Sequence, residues 1–350
     1  MSRRTASLVV AGLLLVALSM VAGLRPVPYV KMRPGPVKNT LGEHNGTPIV
    51  RVSGHRTYPT TGALDLTTVS VTAPTAALNL GQALMAWFDP EEALVPRDLY
   101  YPPQVSVQQT EHESAVEMAS SQDSAAVAAL TELGYKVPIA VKVQSVVKGA
   151  PAQGHLQVGD AITAVGGTPV EEATDVSRLL QRVQPGQTAD LTVRRDGRVV
   201  QVQSPTEADP ADPSRAVVGV TIAGEPTLPF DVSIELSERI GGPSAGLMFS
   251  LAIIDKLTPG ALTGGERIAG TGTITPDGRV GPIGGIQQKI PGAADSGAAV
   301  FLVPSANCGE ALRAQGDDIR LVRVRTLASA LDSVQKLARD PQATVPTCAP

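Results

Sequence analysis

Two short segments hold the residues that could do covalent chemistry. Gly241-Gly242-Pro243-Ser244-Ala245-Gly246 opens a nearly all-apolar run over residues 247–257, long enough for about three helical turns. A helix of that composition is buried. Its N-terminus presents backbone N–H groups without intrahelical partners and the positive end of the helix dipole, which is what a developing oxyanion needs. Ser244 stands at that end, and Gly241, Gly242 and Gly246 leave room for a substrate backbone to approach. Taken alone, the plainer role for Ser244 is a cap on a buried helix.

The second segment is Gly-Thr-Gly-Thr-Ile-Thr-Pro-Asp-Gly-Arg-Val-Gly-Pro-Ile-Gly-Gly-Ile-Gln-Gln-Lys over residues 270–289. It reads as two short strands around Pro276-Asp277-Gly278, a break at Gly284-Gly285, and a helix start that carries Lys289 in its first turn or so. A serine hydroxyl is a poor nucleophile until a base takes its proton, and a lysine is a base only when neutral. Burial among Ile283, Ile286 and Ile290 would supply neutrality, because the ammonium loses hydration and the pKa falls from about 10.4. A lone lysine on a helix is ordinarily a solvated charge; the pair together points to acyl transfer. Pro291, two residues on, is expected to distort or shorten the helix that carries the lysine.

Other chemistries lack a basis in the residues. His44, His55, His112 and His155 are scattered at no metal-ligand spacing and fit surface or turn positions, so neither a metal nor a cofactor is expected. There is no phosphate-binding loop. Cys308 and Cys348 do not sit in nucleophile-like settings; they fit either a disulfide that staples the C-terminal tail or two independent thiols. A formal charge of −4 excludes a polycationic surface, so nucleic acid is not an expected partner.

The chain that must position these residues has 350 of them, room for two domains. Aromatics are 3% of it, so its cores must rest on Val, Leu, Ile and Ala. Residues 1–33 read as a membrane anchor or signal segment: Arg3 and Arg4 precede an uncharged run over 6–24, about 28 Å as a helix. An uncleaved transmembrane helix is preferred over a signal peptide, because an Ala-x-Ala site is missing, with the catalytic part extracytoplasmic. Residues 34–133 hold short strands and then helical stretches over 76–99 and 109–133. Residues 134–205 form a unit of strands, a helix over 174–183 and a hairpin around Asp196-Gly197. Residues 206–340 carry the two chemical segments, and 341–350 a tail.

Two resemblances organise this. Gly149-Ala150-Pro151-Ala152 followed by Leu156-Gln157-Val158-Gly159-Asp160-Ala161-Ile162-Thr163 resembles a PDZ domain, which implies a β-sandwich or barrel unit with a peptide groove between its second strand and its helix. Gly134 to Ala140 lacks the usual carboxylate-binding pattern. Gly-Pro-Ser244-Ala-Gly followed by the 270–289 segment is similar to the proteolytic domain of the Lon-type serine proteases. That likeness implies Ser244 as nucleophile, Lys289 as general base, Thr271 hydrogen-bonded to the lysine, and Gly242, Pro243 and Ala245 framing the nucleophile. It also implies homo-oligomeric assembly. ATP-dependent members carry an acidic residue where Gly241 stands. The order of segments resembles the membrane-anchored, PDZ-containing branch without an ATPase domain. The expectation is an α+β protein that cleaves extended or partly unfolded polypeptides at the outer membrane face, part of 34–133 belonging to the protease fold. The alternative is a non-catalytic PDZ-type binding or scaffold protein.

Overall fold

The computed structural model describes residues 3–236, 240–314 and 319–349. The chain divides into two compact units, one built from residues 1–134 and 230–350 and the other from 135–229.

The larger unit centres on a five-stranded sheet in the order Arg320–Val324, Val300–Pro304, Arg267–Gly270, Ala63–Leu66, Lys38–Asn39. The first four run parallel and the last antiparallel. Val300–Pro304 and Ala63–Leu66 are buried at every position, as parallel strands covered on both faces must be. Alternation sets what each face meets. Ala269, Phe301 and Val303 pack on Ile286, Ile290 and Ala293 of the helix Ile286–Asp295. Gly270, on the opposite face, lies so close to Met248 of the helix Gly246–Leu257 that a Cβ would come within 2.7 Å of the Met248 sulfur. The helix Val107–Glu132, capped by Ser106, packs its small residues Ala125 to Ala129 against this serine-bearing helix. A separate three-stranded antiparallel sheet, Ala93–Pro96, Tyr29–Pro34, Val69–Val71, lies in the same unit and leaves Val69–Val71 as an edge.

The expected transmembrane helix is corrected. No helix among the described residues is long and apolar enough to cross a membrane. The segment does form a helix, Arg3–Gly23, whose apolar run is interrupted by Ser7 and Ser19.

The smaller unit is an antiparallel sheet in the order Arg198–Pro205, Thr188–Arg195, Ala161–Val165, Ile139–Val146, Val220–Pro226, with Thr168–Pro169 also paired to Ala161–Val165. Its core joins Val141, Ile162, Leu191 and Val193 to Val176, Leu179 and Leu180 of the helix Ala173–Leu180. Asp196 and Gly197, both at positive φ, close the hairpin. At the Gly159-Asp160 turn the Asp160 carboxylate is 1% exposed. It takes two bonds of 2.7 Å from Arg195 and one of 2.9 Å from the Gln157 N–H. Burial pushes its pKa up, but these donors outweigh burial and hold it below the usual carboxylate value. The unit extends past residue 205, because Val220–Pro226 pairs with Ile139–Val146. The expected peptide groove changes with it. Ala161–Val165 is bonded on both sides and has no free edge, whereas Val220–Pro226 is an edge strand that touches the Ala173–Leu180 helix.

Candidate active site

The serine, the threonine and the lysine named by the sequence converge in the larger unit. Ser244 precedes the helix Gly246–Leu257, for which buried Ala245 is the N-cap. Two outside contacts and one backbone angle fix this approach. The Gly242 N–H donates to the Ser114 carbonyl (3.2 Å), Ser121 Oγ donates to the Pro243 carbonyl (3.0 Å), and Gly242 holds φ +85°. A left-handed residue followed by proline suits the sharp entry into the helix. The Ser244 carbonyl is held by the Gly272 N–H at 2.8 Å and by Thr271 Oγ1 at 3.0 Å.

Lys289 reaches the serine from the other face of the sheet. Its helix starts at Gly285 (φ +70°), and the Lys289 N–H closes the first turn on the Gly285 carbonyl at 3.1 Å. Pro291 neither shortens nor ends this helix, which continues to Asp295. The proline follows the lysine and removes only its own N–H bond to the preceding turn, leaving the turn that carries Lys289 intact.

Lys289 Nζ lies 2.9 Å from Ser244 Oγ and 3.0 Å from Thr271 Oγ1. Lys289 is 3% exposed and Thr271 1%. Among the described residues no carboxylate bonds the amine; burial alone pushes its pKa down from 10.5 to about 8. The Thr271 hydroxyl has one proton, and it is donated to the Ser244 carbonyl. Its oxygen is therefore left to accept an N–H of Lys289, which turns the lone pair of a neutral amine toward Ser244 Oγ. The helix's own hydrogen bonds begin with the Phe249 N–H on the Ala245 carbonyl, and the Leu247 N–H is spent on the Gly272 carbonyl. The N–H groups of Ser244 and Ala245 precede both and stand at the positive end of the dipole.

The glycines serve differently than expected. A Cβ on Gly246 would meet Ile274 Cγ2 at 2.7 Å and Ser121 Oγ at 3.0 Å, and one on Gly241 would meet Ser114 Cβ at 2.9 Å. Both are small for the sake of neighbouring protein, not of substrate. A cleft of about 670 Å³ opens beside the pair, lined by Ser244, Lys289, Met118, Tyr100, the Val69–Val71 edge, Lys38 and His44. Nothing local in the sequence marks Lys38, Met118 or Tyr100 as cleft residues, and His44 fits a surface or turn position. His44 does sit in a tight hairpin, Glu43–His44 with Thr47–Pro48, but one that borders the cleft. Among the described residues no cluster of His, Cys, Asp and Glu could hold a metal ion.

A buried lysine on a serine at a helix start, backed by a threonine, is the arrangement of a Ser–Lys hydrolase. Residues 238–338 match the Lon protease (S16) C-terminal proteolytic domain, and residues 105–214 match a PDZ domain. Lon protease 2 of Bacillus subtilis is 35% identical over 95 residues, 27% of this chain and 17% of that protein. Lon protease 2 of Herpetosiphon aurantiacus is 44% identical over 66 residues, 19% of this chain and 8% of that protein. The archaeal Lon protease of Methanothermobacter thermautotrophicus is 29% identical over 108 residues, 29% of this chain and 16% of that protein. This chain thus spans less than a fifth of the length of these relatives. The crystal structure of the PDZ domain of an SdrC-like protein from Listeria monocytogenes aligns with 24% of this chain and 86% of its own, at 23% identity and a TM-score of 0.22. The domain match and the names of the Lon homologues support a serine-type peptidase.

Proposed function

We propose that this chain is a serine endopeptidase in which Ser244 attacks the scissile carbonyl and Lys289 is the general base. The observation that carries this is the 2.9 Å contact between Ser244 Oγ and a lysine amine that is 3% exposed. Neutral Lys289 takes the Ser244 proton as the Oγ–carbon bond forms. The resulting ammonium returns that proton to the leaving amine when the peptide C–N bond breaks. Water then attacks the acyl-enzyme with Lys289 again as base, releasing the acid and restoring Ser244. The N–H groups of Ser244 and Ala245 face the oxyanion, and Thr271 keeps the amine aimed.

The substrate in this reading is an extended or partly unfolded polypeptide. It adds as a strand along Val69–Val71, the sheet edge that borders the cleft, and the Val220–Pro226 edge of the smaller unit offers a second place for strand addition. Cleavage that does not consume ATP belongs to the reading on the likeness to the branch without an ATPase domain alone. The Cys308–Cys348 disulfide favours an oxidising setting outside the cytoplasm. Homo-oligomeric assembly belongs to the reading on the Lon likeness alone.

The test is cleavage of an unfolded polypeptide by the wild-type protein and by Ser244→Ala. Ser244→Ala is expected to lose about a thousandfold or more in kcat. Equal cleavage by the two would remove Ser244 from the chemistry and leave a binding role for the fold.

A further inference from the structure

The general base is held by a residue that the reaction scheme does not use. The chain enters the lysine helix through Pro282, Ile283 and Gly284, and both backbone groups of Ile283 are taken by a single side chain. The Ile283 N–H donates to Asn307 Oδ1 at 3.0 Å, and Asn307 Nδ2 donates to the Ile283 carbonyl at 2.9 Å. Two parallel bonds fix rotation as well as distance, which one bond would not. Asn307 is 6% exposed and ends the 3-10 turn Ser305–Asn307, directly after the fully buried strand Val300–Pro304. It therefore ties the approach to Lys289 to the most buried part of the sheet. Ile283 and Gly284 also line a smaller cleft with Pro243 and Ser244, so the clamped turn borders the nucleophile too.

The residue after the clamp is Cys308, bridged to Cys348. The tail that carries Cys348 is itself laid on the outer strand of the sheet. The Arg323 N–H donates to the Pro346 carbonyl at 2.9 Å, and the Cys348 N–H donates to the Leu321 carbonyl at 3.2 Å. Both cysteines pack with Ile286, Ile290 and Ala293 of the lysine helix in one core. The asparagine is thus held from the sheet on one side and from the bridged tail on the other.

We propose that Asn307 is the positioning residue for Lys289, and that the Cys308–Cys348 bridge keeps it in place. This rests on the Ser244–Lys289 reading. Loosening the clamp lets the 283–285 turn move, admits water to the amine and lengthens the Nζ–Oγ contact.

The experiment uses the full oxidised chain, with Asn307→Ala, Asn307→Asp and Cys348→Ala beside wild type. The Lys289 titration is followed by NMR of 13Cε-labelled lysine, assigned by its loss in Lys289→Met, and kcat, KM and thermal unfolding are measured on the same samples. Asn307→Ala is expected to raise the Lys289 pKa from about 8 toward the ordinary lysine value as its burial is relieved. It is expected to lower kcat about tenfold to a hundredfold with KM nearly unchanged. Asn307→Asp keeps the acceptor for the Ile283 N–H but, ionised, lacks the donor, so it should fall between. Cys348→Ala, or reduction of wild type, should move the titration in the same direction by less. A Lys289 titration unchanged in Asn307→Ala overturns the proposal, whatever happens to thermal stability. Should wild type show no Ser244-dependent turnover, the peptidase reading fails, while the titration still decides whether Asn307 places the lysine.

Discussion

Replacing Lys289 with methionine is expected to lower kcat for peptide hydrolysis by about a thousandfold or more while raising the stability of the protein at neutral pH. The two effects share one cause. Burial holds the Lys289 pKa near 8 instead of 10.5, so the unfolded chain binds more protons than the folded one between those values. Stability from this group therefore rises with pH from about 8 to 10.5 and is at its lowest below that window. Each pH unit across the window is worth about 1.4 kcal/mol, so at neutral pH the buried ammonium costs on the order of 3 kcal/mol. Methionine fills a similar volume without a charge, leaving the Thr271 hydroxyl bonded to the Ser244 carbonyl. Thermal unfolding beside steady-state kinetics checks both halves. A variant both inactive and destabilised would point to a lysine that supports the fold.

The second large effect is expected from Gly246→Val. The first residue of the serine helix has no room for a side chain, with Ile274 Cγ2 2.7 Å and the Ile274 nitrogen 3.2 Å from where a Cβ would stand. The nitrogen belongs to the backbone of the strand Thr273–Ile274, so relief must come from moving the helix or the hairpin. Overpacking of this kind costs about 3 kcal/mol. Because Ser244 is two residues away, the helix shift also misplaces the nucleophile, and kcat should fall about a hundredfold. The urea midpoint and kcat of the variant measure the two consequences separately.

Much of the site was legible because its signals are local. The Gly-Pro-Ser turn, the apolar helix after it and the Gly-Gly break before Lys289 each announce themselves within a few residues. What the sequence could not display are pairings between distant segments. Residues 206–340 read as a single segment apart from 134–205, since nothing near Val220–Pro226 reveals that its partner is Ile139–Val146. The same holds for Lys38 and His44, which reach the cleft from an edge strand and a hairpin far from Ser244 in sequence. Asn307 is invisible for that reason too, because its partner Ile283 lies 24 positions away. Gly246 was legible as a close approach, but what approaches is Ile274 and Ser121, not substrate. The N-terminal segment reads as spanning from its uncharged run, whereas no helix among the described residues is long and apolar enough to cross a membrane.

The central claim is that a neutral, buried Lys289 activates Ser244, and the pH profile of kcat/KM for an unfolded polypeptide tests it most directly. Below its pKa the lysine is an ammonium and cannot take the serine proton. The account predicts a rate that climbs about tenfold per pH unit up to about 8 and then levels, with the climb absent from the residual activity of Lys289→Met. A wild-type profile that is flat through this range, or that falls as the pH rises through about 8, would contradict it.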